Sequence, residues 1–130
     1  MAIANIQETL LMYTKQKAMI NSQLSNVMFN MLSSSKNIAD SESKFNNKMQ
    51  AAYYTYYEND YDTYSAVTEQ LQQQHEQELA TLNSWETQLE VQKNNLETKL
   101  NEISTYETSW TKLLQQNVKN DFTYGGSTSK

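Results

Sequence analysis

The chain lacks proline, cysteine and arginine, and its 130 residues include only two glycines, Gly125 and Gly126. With no proline and no internal glycine, nothing from Met1 to Tyr124 strongly breaks a helix, so helix can run nearly end to end. With no cysteine there is no disulfide, no thiol nucleophile and no thiolate metal site. Either a reducing or an oxidising compartment fits. No run of about 18 apolar residues occurs, so no membrane span is expected. The amino terminus has neither the basic patch nor the apolar core of a classical signal peptide. A cytoplasmic location, or export by another route, is the expectation. No Asn-x-Ser/Thr sequon is present.

Apolar material is also scarce. Only 38% of residues are hydrophobic, and part of that share is tyrosine, whose hydroxyl needs water or a polar neighbour. This suits narrow helical seams better than a round core. The net charge of −5 is unevenly spread. Residues 1–49 carry five lysines against three carboxylates, residues 50–110 two lysines against eleven, and residues 111–130 three lysines against one. An acidic middle without arginine argues against nucleic acid. The charge reads as a solvated helix face, or as acidic middles pairing with basic ends in an assembly.

What is present is heptad periodicity. Ile3, Ile6, Leu10, Tyr13, Lys17, Ile20, Leu24, Val27 and Met31 alternate spacings of three and four, the seam of a coiled coil. Lys17 either fixes register or packs its stem and extends its ammonium to water. SSSKNIADSES, residues 33–43, reads as a turn, because serine, asparagine and aspartate offer the backbone alternative hydrogen bonds. A second, long helix follows. Its seam takes Tyr54, Tyr61, Leu82, Leu89, Leu96, Ile103 and Trp110 at one position, and Tyr57, Tyr64, Leu71, Trp85, Tyr106 and Leu113 at the other, where Gln92 and Lys99 are polar members. QQQHEQE, residues 72–78, is a polar interruption where the helix could bend.

The expected fold is all-α: a helical hairpin with a short N-terminal helix (about 3–32), a turn (33–43) and a long C-terminal helix (about 44–118). It forms a single domain over residues 1–124, with a flexible tail at 125–130 and Gly125 as a helix cap. Such unequal helices leave Leu82 to Trp110 uncovered. Either helix two breaks near His75 into a compact three-helix bundle, or other copies cover the stripe.

Residues with chemistry are few. His75 is the lone histidine; with Glu76 and Glu78 it is a weak metal or pH-switch candidate, or a polar residue in a soft part of the seam. No catalytic, cofactor-binding or metal site is expected. The tyrosine block YYTYYENDYDTY, residues 53–64, is the unusual feature. Tyr54, Tyr57, Tyr61 and Tyr64 lie on the main seam and read either as helical core or as a wide contact surface between helices, with Tyr53 and Tyr56 as candidate surface contacts. Phe122 and Tyr124 form either a frayed end or a docking tail.

The segment QLSNVMFNMLSSSKNIADS, residues 23–41, resembles the amino-terminal region of flagellins, with its leucine–serine–serine turn and the Asn/Ala/Asp stretch behind it. The whole pattern is similar to the axial needle and filament subunits of type III secretion. The resemblance implies terminal helices that pair as coiled coils in an exported filament. The arginine that usually follows the flagellin serine turn and the flagellin middle domain are missing, and no functional residue carries over. The expected protein is thus a non-enzymatic, self-associating helical protein without cofactor. The alternative is a helical binding module, such as a secretion chaperone, adaptor or exported effector.

Overall fold

A computed structural model describes the backbone of residues 2–128 and the side chains of residues 2–121. It consists of two helices, α1 (Ile3–Tyr56) and α2 (Tyr61–Thr128), which pack against each other as a hairpin. No strand occurs among the described residues. The hairpin divides into two compact units. One is Val27–Gln92, which contains the turn. The other combines Met1–Asn26 with Lys93–Lys130.

The turn is not where the serines are. Residues 33–43 lie inside α1, and the chain reverses at residues 57–60. The physical reason is that the three–four spacing of α1 does not stop at Met31. Ser34 and Ser41 continue it and are 0% and 4% exposed, while Ile38 and Phe45 between and beyond them are half-buried. One additional four-residue step then leads from Phe45 to Met49, Ala52 and Tyr56, all covered to some degree. Such a stutter shifts a seam without ending it. Packing of one face therefore overrides the weak local preference of serine for turns. The spacing of two packed helices depends on the side chains between them, and serine leaves room for close approach.

Threonine is handled differently. The hydroxyls of Thr9, Thr14, Thr55, Thr81, Thr87, Thr98, Thr105 and Thr108 each donate to the carbonyl four residues earlier, at 2.7–3.1 Å. A hydroxyl satisfied within its own helix no longer competes with it.

On α2, one line of the expected seam holds. Leu89 is 3% exposed, and Leu82, Leu96, Ile103 and Trp110 are half-buried. The second line moves by one residue. Glu86, Lys93, Leu100, Glu107 and Leu114 are half-buried, whereas Gln92 and Lys99 face solvent and Tyr106 is 53% exposed. Placing Tyr106 in the seam is therefore corrected. Trp85 and Leu113 remain half-buried at the edge.

Moving the turn also corrects the helix lengths. α1 has 54 residues and α2 has 68, so most of α2 has α1 residues to pair with. α2 passes unbroken through residues 72–78, which removes the three-helix bundle. It also passes Val118 and the two glycines to Thr128. Glycine costs a helix roughly 1 kcal/mol against alanine but does not forbid it. The expected tail is thus helical through Thr128; residues 129–130 lie outside the described residues.

Two substitutions test the seam by thermal or urea unfolding. Leu89→Ala should cost about 2–5 kcal/mol, because it empties a buried site. Ser34→Ala should instead raise stability by about 1 kcal/mol, since the buried Ser34 hydroxyl has no hydrogen-bond partner. A loss on Ser34→Ala as large as that of Leu89→Ala would contradict this account.

Candidate functional site: the tyrosine cluster at the turn

The turn is built without a glycine and without a positive φ among the described residues. The Tyr57 amide donates to the Tyr53 carbonyl at 3.1 Å, and the Asp60 amide donates to the Tyr56 carbonyl at 2.7 Å. Tyr64 N–H then donates to the Asp60 carbonyl at 3.0 Å, the first bond of α2. Asp60 caps that helix. Its carboxylate accepts the Thr63 hydroxyl at one oxygen and the Thr63 amide, at 3.2 Å, at the other. An aspartate at this position satisfies a backbone donor that the first turn of a helix otherwise leaves free. The two bonds from Thr63, the hydroxyl first and the amide second, hold the Asp60 carboxyl below its ordinary value of 3.8.

Reversal at residues 57–60 gathers five tyrosines. Tyr57 is the hub: its ring stacks on Tyr53 at 4.6 Å and meets Tyr61 at 5.8 Å and Tyr64 at 5.2 Å edge-on. Tyr53 also meets Tyr54 at 5.6 Å and Tyr64 at 6.2 Å. Tyr61 and Tyr64 lie 5.8 Å apart. Offset and edge-to-face rings at these separations attract by about 0.5–1.5 kcal/mol per pair beyond area burial.

These rings are on the outside. Tyr54 is 78% exposed, Tyr61 61%, Tyr53 46% and Tyr57 41%. The assignment of Tyr54, Tyr57 and Tyr61 to a seam within one helix is therefore corrected. Their a/d spacing spans a chain reversal, so the heptad frame does not apply across it. Tyr64 is half-buried, as is Tyr56, which stands at the end of the α1 seam. Glu58, Asp60 and Asp62 are interspersed with the tyrosines in sequence and are exposed. The sequence did carry the turn signal: Asn59–Asp60 followed three residues later by Thr63.

The same unit holds His75. Its imidazole stacks on Phe45 with ring centres 4.2 Å apart and planes 3° from parallel. Beside the stack is a cavity of about 70 Å³ lined by Ser41, Lys44, Lys48, Leu71, Gln74 and Glu78. Leu71 is half-buried there, and the Ser41 hydroxyl has no hydrogen-bond partner. His75 is thus a packed aromatic in a polar part of the seam. Among the described residues, no three His, Asp or Glu side chains group to hold a metal ion. No helix among them is long and apolar enough to cross a membrane.

In the other unit, Lys17 Nζ lies 3.2 Å from Glu107 Oε1, with both side chains 30% exposed. The Tyr13 and Tyr106 rings are 6.2 Å apart. Lys17 thus pairs across the seam instead of only extending to water; such exposed pairs contribute about 0.2–1 kcal/mol. Around it, Ile6 and Ile20 are buried and Ile3, Leu10, Tyr13 and Leu24 half-buried. Val27 and Met31, in the turn-bearing unit, are likewise buried and half-buried. The side chains of Phe122 and Tyr124 lie outside the described residues.

No family model, no curated protein and no solved structure matches this chain. Its site is therefore read from its own geometry.

The Asp60 cap makes the turn acid-sensitive in a defined direction. A carboxyl held low in the folded state contributes stability that is fully present above 3.8. That stability is lost as pH falls from there through the lowered folded value. Asp60→Ala should lower the melting temperature at neutral pH, and Asp60→Asn should lower it less, because Asn also caps. Asp60→Asn should also melt with a shallower dependence on acid below 3.8. Thermal melts across that range, read by circular dichroism, check both points.

Proposed function

We infer that the protein is a non-enzymatic helical hairpin that works by self-association, as a structural building block of a helical assembly. The observation that carries this reading is the outer face of α1. Leu11, Met12 and Met19 in one unit are 48–63% exposed, and Met28, Phe29 and Leu32 in the other are 54–72% exposed. Met28 and Leu32 stand one helical turn apart with Phe29 between them, a spacing that makes one patch on a helix. Such patches on soluble proteins mark places where another surface docks.

Two helices bury one stripe each, and a further layer is what ordinarily covers the remainder. The stripe from Leu82 to Trp110 no longer supports association, because α1 covers it within the chain. The outer face of α1 takes its place. A filament outside the cell belongs to this reading through the resemblance of residues 23–41 alone.

Sedimentation and light scattering test the proposal. The wild-type chain should form a defined oligomer. Phe29→Glu combined with Leu32→Glu should shift it to monomer with unchanged helicity, because both residues are exposed in the single chain. A wild-type chain that stays monomeric at high concentration would favour the second reading, a helical adaptor or chaperone that offers the same face to a different protein.

A further inference from the structure

We propose that the tyrosine cluster at the turn is a site of oxidative phenol coupling, with Tyr57 as the ring through which the cross-link forms. Three conditions for the chemistry coincide at residues 53–64. Several phenols must be reachable by an oxidant, and Tyr53, Tyr54, Tyr57 and Tyr61 are 41–78% exposed. Two phenols must already be adjacent, so that two short-lived radicals meet before either escapes. Tyr57 has three tyrosine neighbours, at 4.6, 5.2 and 5.8 Å. The arrangement must also tolerate ring movement, and a solvent-facing cluster needs no repacking of the seam to let two rings approach.

The co-reactant is a one-electron oxidant of the peroxidase class supplied with hydrogen peroxide. Each of two phenols gives up one electron and one proton and becomes a phenoxyl radical. The two radicals join through ring carbons ortho to oxygen, forming one carbon–carbon bond. The hydrogens on those carbons move to the oxygens and restore both phenols. Peroxide takes up the two electrons and two protons and leaves as two waters. Coupling of Tyr57 to Tyr64 would tie the end of α1 covalently to the start of α2, in a chain with no cysteine for that purpose. Coupling of Tyr57 to Tyr53 would fix the last turn of α1.

Contrast within the molecule sharpens the assignment. Tyr13 and Tyr106 also face each other, but at 6.2 Å and as an isolated pair. The cluster should therefore react first. This inference does not rest on self-association, since the coupling rings belong to one chain.

The test treats dilute full-length chain with peroxidase and hydrogen peroxide. Dityrosine fluorescence is followed, and the cross-linked peptides are mapped by mass spectrometry. The expected product runs as a monomer on a denaturing gel and joins Tyr57 to Tyr53 or Tyr64. Tyr57→Phe keeps a ring of the same size but cannot form the phenoxyl, so the yield should fall several-fold with helicity intact. Tyr13→Phe combined with Tyr106→Phe should leave the yield unchanged. Cross-links spread evenly over all tyrosines, a product that is mainly interchain, or a Tyr57→Phe yield equal to wild type would each overturn the proposal.

Discussion

The hairpin depends on how residues 57–60 reverse the chain. A chain without proline and without internal glycine has no ready-made breaker, so an end to α1 must come from side-chain chemistry. Asp60 supplies it. Its carboxylate takes two hydrogen bonds from Thr63, and its carbonyl accepts the first bond of α2. A new helix start is thereby more favourable at Asp60 than continuation of the old one. In the turn-bearing unit, Phe45 meets His75 and Tyr53 meets Tyr64, pairs nearly symmetric about residue 59. A reversal displaced by even a few residues would set different side chains against each other.

With register set, two helices must form a seam from very little apolar material. The described residues contain only five buried hydrophobic side chains, Ile6, Ile20, Val27, Ala52 and Leu89, of which Ile6 alone is fully enclosed. The remainder of the seam uses side chains that suit a half-covered position. Lys17 and Glu107 are partly covered while their charges meet across the seam. His75 presents a flat face to Phe45. Ser34 and Ser41 fill space at the cost of hydroxyls without partners. A seam of this kind is narrow, and it leaves the other faces of both helices to solvent or to other molecules.

The legible parts of the fold were those written in periodicity. The α1 seam from Ile3 to Met31 lies on the covered face, and the Leu82–Trp110 line of α2 does too. The helical hairpin class followed from these patterns and from the missing breakers. The position of the turn did not, for a physical reason that affects both ends of the error. Serine is neither apolar nor a helix former, so a seam continued by Ser34 and Ser41 looks like a seam that stops. Tyrosine is large and aromatic, so exposed rings on either side of a reversal look like a continuous core. Heptad counting records spacing along the chain and is blind to direction, so Tyr54, Tyr57, Tyr61 and Tyr64 kept the rhythm while the chain turned between them. The one-residue shift on α2, from Gln92 and Lys99 to Lys93 and Leu100, was equally hidden, because both alternatives contain a polar residue.

The tyrosine block is better understood as a property of the turn than of either helix. Its rings cannot be core, since a two-helix turn has no third element to bury them. They are nonetheless more than solvent-facing ornaments of the chain, because they touch one another across the reversal. Tyrosine suits such a place: its rings attract edge to face while its hydroxyls remain wet. Phenylalanine there would leave an apolar tip, and leucine would forgo the ring–ring geometry. The carboxylates of Glu58, Asp60 and Asp62 keep the surface hydrated, and Asp60 at the same time fixes the start of α2. The same twelve residues therefore reverse the chain, close the end of the seam at Tyr56 and Tyr64, and hold exposed phenols at contact distance. That last feature gives this stretch a chemical character that the seam of the hairpin lacks.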